Sequence, residues 1–164
     1  MLVVSNTSPI LNLAIVRRLD LLRLQFETVL IPPAVREELR LDSELPGVSE
    51  AQAALQSGWL RESAPSNTTL VQTLSLELDG GEAAAIALAL EIKPEFILMD
   101  ETEGRAKAVA LGLRPVGILG VLLRAKRDGQ IDSVKEIMTG LRQEAGFFIA
   151  DDLFDAVLRE AGEV

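Results

Sequence analysis

Residues 1–11 read MLVVSNTSPIL. Leu2, Val3 and Val4 form a short apolar run, and Ser5-Asn6-Thr7-Ser8-Pro9 breaks it abruptly. Ile10, Leu11, Leu13, Ala14 and Ile15 follow. A buried strand that ends in small polar residues and enters a helix is the usual α/β way of placing side chains at the carboxyl edge of a sheet. Pro9 suits the first turn of that helix and Ser8 its cap. Taken alone, the stretch reads first as a capped turn without chemistry, because such caps are common. Its weight comes from the carboxylates that the rest of the chain can bring to it.

The composition narrows that chemistry. The chain has 164 residues, 48% of them hydrophobic and 25% charged, which predicts one globular domain with a sizeable core. No apolar run reaches the roughly 18 residues that span a bilayer. No basic segment followed by an apolar stretch and a cleavage site opens the chain, so a secretion signal is not expected. Cysteine and histidine are both absent, as is tyrosine. Disulfides, thiolate or imidazole metal sites, and Cys-His or Ser-His-Asp catalysis are therefore excluded within the chain. These absences favour a cytoplasmic location. Catalytic chemistry must come from Asp, Glu, Lys, Arg, Ser, Thr, Asn or Gln, and a carboxylate site for a hard cation is most easily built from that set. The net charge of −9 argues against coating nucleic acid by bulk electrostatics. It leaves room for an enzyme that touches a few phosphates through metal and local Arg or Lys, and it suits a basic protein partner.

Along the chain, residues 10–24 read as helix with a break near Asp20, and FETVLI (26–31) as a strand. Pro32-Pro33 opens a helix through about Arg40, with Val35 and Leu39 on one face. A loop (41–48), a helix (49–56) stopped by Ser57-Gly58, and a short strand at Trp59-Leu60 follow. After the loop SAPSNTT (63–69) and a short helix (70–76), Asp79-Gly80-Gly81-Glu82 precedes AAAIALAL (83–90). That run has no polar face, so its helix is predicted to be central and buried. FILM (96–99) is a buried strand followed by Asp100-Glu101-Thr102-Glu103. A helix (105–112) with Gly112 at its end, a short strand (113–116) and three helices (117–126, 134–144, 151–160) complete the chain. Strands and helices alternate, which predicts a short parallel sheet of about four or five strands with helices on both faces.

Asn6, just past the first strand, and Asp100, just past FILM, can converge if both strands end on one crevice. Glu82 opens the buried helix and Glu38 lies late in its own. Glu101 adjoins Asp100. Each has a plainer reading: Glu82 as a helix-dipole partner, Asp100-Glu101 as a cap, Glu38 as a solvated acid. Together, two to four carboxylates at a sheet edge can hold one or two Mg²⁺ or Mn²⁺ ions, which lower the pKa of a water and stabilise charge on a phosphodiester. Ser5, Thr7 and Ser8 could orient a water or a phosphate oxygen. Arg105 could reach a phosphate, or pair with Glu101 at the surface.

The opening VVSNTSPILNLA resembles the first strand and helix of PIN domains. LIPPAVREEL, LDGGEAAAIALAL and FILMDETEGRAKAVALGLRPVGILGVLLRAKRDGQI continue the resemblance in order, over about residues 1–131, with a similar tail. It implies a three-layer α/β/α fold. It also implies a Mg²⁺- or Mn²⁺-dependent ribonuclease directed at single-stranded RNA, of the kind found as the toxin of a toxin–antitoxin pair, with a small antitoxin protein as partner. On the matching positions, Glu38, Glu82 and Asp100 stand as the catalytic acids. Asn6, Glu38, Glu82, Asp100 and Glu101 make up the metal set. The chain departs from the family at Asn6, where aspartate is usual, and at Ile118, where the similar subgroup often has a hydroxyl residue. An amide still offers a carbonyl oxygen but no charge. A catalytically weak module that binds nucleic acid or protein is therefore the alternative. An aspartyl phosphohydrolase would need its nucleophile where Asn6 stands, and a dinucleotide-binding fold would need the GxGxxG that the first strand lacks. The apolar residues Phe147, Phe148, Ile149, Leu153, Phe154, Val157 and Leu158 are predicted to pack on the sheet, with a homodimer interface as the other use.

Overall fold

Val3 and Val4 are both fully buried, yet they belong to different cores. Consecutive strand residues point to opposite faces of a sheet, so the opening strand is covered on both sides. The computed structural model describes residues 1–164. It places this strand, β1 (Leu2–Ser5), at the centre of a five-stranded sheet. The other strands are β2 (Thr28–Ile31), β3 (Leu60–Glu62), β4 (Phe96–Leu98) and β5 (Pro115–Val116). Their order is β3-β2-β1-β4-β5 and every pairing is parallel.

The helices between them are α1 (Thr7–Ile15) and α2 (Asp20–Phe26), then α3 (Pro33–Glu38) and α4 (Val48–Ser57), then α5 (Thr68–Leu74) and α6 (Gly80–Ile92), and then α7 (Thr102–Ala110). Three more, α8 (Ile118–Arg127), α9 (Val134–Glu144) and α10 (Asp151–Glu160), follow the last strand. Residues of α1, α2, α4 and α8–α10 build the larger core on the Val3 face. Residues of α5, α6 and α7 build the smaller core on the Val4 face. The result is the expected three-layer α/β/α arrangement. Ala83, Ala85, Ala87 and Ala89 of α6 are all buried. A helix that is apolar on all sides belongs inside, and the small alanine side chains let its neighbours approach closely.

The chain adds β2 and β3 to one side of β1 and then crosses to the other side for β4 and β5. The reversal of strand order falls between β1 and β4. In open parallel sheets this switch point opens the crevice in which ligands bind, outside the carboxyl ends of the strands. Ser5 is in register with Leu98, and the Asn6 N–H donates to the Leu98 carbonyl at 3.0 Å. The turn after β1 and the turn after β4 are therefore tied together at that crevice.

Several boundaries differ from expectation for local reasons. Asn6, not Ser8, occupies the cap position of α1, and Ser8 lies in the first turn, where its Oγ accepts from Asn12 Nδ2 at 3.0 Å. Phe26 ends a helix instead of opening β2, because Glu27 takes a left-handed φ of 67° and turns the chain. α3 stops at Glu38, short of Arg40, which has φ 51°. Trp59 precedes β3, although its carbonyl accepts from Val29 N. At the C-terminal end, Ile149, Phe154, Val157 and Leu158 join the core as expected, whereas Phe148 is 85% exposed and Leu153 is also exposed.

Candidate active site

Asn6 is only 3% exposed, because the β1 turn sits under the end of β4. Its Nδ2 donates to Glu101 Oε2 at 3.3 Å, while its Oδ1 is buried with no partner. The amide therefore has a donor side engaged with a carboxylate and an acceptor side that is free. Ser5 is fully buried and donates through Oγ to the Asn6 carbonyl at 2.8 Å. That enclosure gives the Ser5 hydroxyl to the turn, in place of the expected role towards water or substrate. Thr7 reaches out of the first turn of α1, and its Oγ1 donates to Glu38 Oε1 at 2.7 Å.

Glu82 is held by its own helix. Asp79 caps α6, accepting from the Glu82 N–H at 2.8 Å, and Glu82 Oε1 accepts in return from the Asp79 N–H at 3.3 Å. This reciprocal capping box fixes both side chains. It uses only one Glu82 oxygen. Oε2 is buried without a hydrogen bond, in a residue only 6% exposed. The capping box thus uses one oxygen of the carboxyl group and leaves the other free. Asp100 shows the same division: Oδ1 accepts from the Ile118 N–H at 2.9 Å, and Oδ2 is buried and unpaired. Ile118 contributes its backbone to the site, and its side chain lies in the core.

Glu101 connects the cluster electrostatically. Burial is the main reason that Glu38, Glu82 and Asp100 all have raised pKa values, and the negative charge of Glu101 adds to the rise in all three. Glu82 is pushed up to about 7, with Asp79 repelling it more strongly than Glu101 does. Asp100 is pushed up to about 6, with Arg105 opposing the rise. The Thr7 hydrogen bond likewise restrains the rise at Glu38. Arg105 makes no ion pair with Glu101. Its Nη1 donates to the Met99 carbonyl at 2.9 Å, which anchors the guanidinium beside Asp100. Beside Glu38, the end of α3, the following turn and the start of α6 enclose an open cleft of about 510 Å³.

The structure thus brings Asn6, Glu38, Glu82, Asp100 and Glu101 into one neighbourhood, with Thr7 and Arg105 attached to it. No group of three or more acids converges tightly enough to hold an ion in common. The donor chemistry nevertheless fits a hard divalent cation. All the candidate atoms are oxygens, and three of them, on Asn6, Glu82 and Asp100, are buried acceptors with nothing to accept from. Mg²⁺ keeps several waters and needs few protein ligands, so an incompletely gathered oxygen set suits it better than a closed cage would. Sequence reasoning missed Asp79 as part of the site. Its signal was present in the Asp79-Gly80-Gly81-Glu82 spacing, which matches a capping box.

The fold and the site together define a parallel α/β domain with carboxylates of raised pKa gathered at the switch point of its sheet. A family model described as a PIN domain matches residues 2–163, and the chain belongs to that family. None of the curated proteins matches it. No helix is long and apolar enough to cross a membrane.

Proposed function

We propose that this PIN domain is a Mg²⁺- or Mn²⁺-dependent endoribonuclease that hydrolyses phosphodiesters of single-stranded RNA, and that it is the toxin of a toxin–antitoxin pair. The observation that carries the reading is the set of three unpaired buried oxygens on Asn6, Glu82 and Asp100 at the sheet's switch point. Leaving buried acceptors unsatisfied is unfavourable, and a ligand that satisfies them would remove the penalty. A bound divalent ion would supply Lewis acidity and lower the pKa of a water.

The chain's own residues do the rest. Asp100 and Glu82 bind through the oxygens that their backbone partners leave free. Asn6 adds a neutral oxygen, and Glu38 and Glu101 add the charge that Asn6 lacks. Thr7 orients Glu38, and the Ile118 N–H orients Asp100. Arg105, anchored on the Met99 carbonyl, has further N–H groups to offer a phosphate oxygen. Purified protein with labelled single-stranded RNA and Mn²⁺ tests the reading. Cleavage should depend on Mn²⁺ and disappear in the Glu82→Ala, Asp100→Ala double variant. Cleavage that survives in that variant would refute this assignment.

A second reading is favoured by Asn6 itself, which places an amide where the family usually has aspartate. On that reading the domain binds nucleic acid or protein and cleaves weakly or not at all. Asn6→Asp separates the two: a large gain in cleavage marks a degraded native site, and an unchanged rate marks an amide that was never limiting.

A further inference from the structure

Gly81, Gly104 and Gly117 lie on three different elements, and each meets a different site carboxylate. A Cβ built on Gly81 would stand 1.9 Å from Glu38 Oε1 and 2.9 Å from Glu38 Cδ. One built on Gly104 would stand 2.7 Å from Glu82 Oε2 and 2.5 Å from Met99 Sδ. One built on Gly117 would stand 2.7 Å from Asp100 Oδ1 and 3.1 Å from Arg105 Nη1. None of the three requires a left-handed backbone. Gly81 and Gly104 stand in the first turns of α6 and α7, where alanine is the better helix former. Local backbone propensity therefore gives no reason for glycine at these two places. The reason lies in what occupies the absent side chain's space: a carboxylate of the site at all three positions, joined by Met99 at Gly104 and by Arg105 at Gly117. Elsewhere the pattern is different: Gly80, the immediate neighbour of Gly81, has nothing within 4 Å of its Cβ position, and Gly120 meets only Val116.

We propose that Gly81, Gly104 and Gly117 are positioning residues that form a cradle for Glu38, Glu82 and Asp100, each holding one carboxylate at its place in the site by leaving the volume that it occupies. The proposal rests on the reading of these acids as ligands. Glu38 is the most informative case. The clashing atoms are the far end of a flexible side chain, which can swing away without disturbing the core. Alanine at Gly81 should therefore move the Glu38 carboxylate, break its hydrogen bond with Thr7 and leave the fold intact. Gly104 differs, because Met99 is fully buried and cannot yield as easily, so Gly104→Ala should also lower the melting temperature.

The test compares Gly81→Ala with Gly80→Ala in the full chain. Calorimetric Mn²⁺ titration, thermal melting and crystal structures of both variants are measured beside the wild type. Gly81→Ala should weaken Mn²⁺ binding by about tenfold, in the range of lost ligand-orienting contacts, with a melting temperature no lower than the wild type's. Gly80→Ala should leave the affinity within about twofold of wild type, well below that range. Equal Mn²⁺ affinity in wild type and Gly81→Ala would overturn the proposal, as would an equal loss in both variants. If the wild type itself binds no Mn²⁺, the ligand reading falls and the structures decide the cradle alone. A Glu38 carboxylate displaced in Gly81→Ala supports it, and one found in its original place contradicts it.

Discussion

At Glu82 a single carboxyl group serves two purposes. Oε1 closes the capping box of α6, and Oε2 is buried without a partner beside Gly104. Its pKa, raised to about 7, means that the folded protein holds this proton more tightly than the unfolded chain does. The stability from that proton is complete below the ordinary carboxylate pKa near 4.5 and is lost as the pH rises through about 7. Asp100 behaves alike: its contribution is complete below the ordinary pKa of 3.8 and is lost as the pH rises through about 6. The metal-free protein should therefore melt at a higher temperature at pH 5 than at pH 8. Glutamine keeps the capping box without the charge. Glu82→Gln should raise stability at pH 8 by about 1 kcal/mol, a value discounted for the part of the charge that solvent screens, and should abolish divalent-ion binding. Urea titrations at the two pH values, with and without Mn²⁺, measure both effects.

Asn6 shows the opposite balance. Its Nδ2 attracts Glu101, which aspartate would repel. Asn6→Asp should lower the melting temperature of the metal-free protein and raise Mn²⁺ affinity by about tenfold, because affinity in oxygen-ligand sites follows charge count. Calorimetric titration checks this, and an unchanged affinity would show that Asn6 Oδ1 already suffices.

At the scale of elements, α6 links the fold to the site. Its buried alanines seat it in the smaller core, and its Asp79 cap sets Glu82 at the sheet edge. Asn caps as well as Asp does, and Ala does not. Asp79→Ala should cost about 1 kcal/mol in chemical denaturation. Asp79→Asn should cost less or even stabilise, because it also removes the negative charge that repels Glu82. The alternation of strands and helices was legible in the sequence, as was the burial of the alanine-rich helix, because periodicity and composition act locally. The helix ends were less legible. Glu27 and Arg40 adopt a positive φ that their residue types do not announce. The position of Asn6 at the crevice was legible, but not its place as the cap of α1, since Ser8 is an equally good cap by type. The cradle could not be read at all. Gly81 precedes Glu82 in sequence yet accommodates Glu38, from another helix.

Across the whole molecule, the topology explains why residues as distant in sequence as Asn6 and Asp100 lie at one crevice. The reversal of strand order between β1 and β4 puts both turns at one crevice, and the charge of Glu101 reaches all three raised carboxylates there. A molecule with a net charge of −9 repels RNA over distance, so its contacts must be short-ranged and few. Divalent ions should strengthen its association with RNA far more than an equal ionic strength of Na⁺ does. On the proposed reading, these oxygens bind a divalent ion and use it to cut RNA. Cleavage of end-labelled single-stranded RNA by the wild type and by Glu82→Ala, Asp100→Ala, in Mn²⁺ and in EDTA, tests it most directly. Cleavage should occur only with the wild type and only in Mn²⁺. Cleavage in EDTA or by the double variant would contradict it, as would an inert wild type at saturating Mn²⁺.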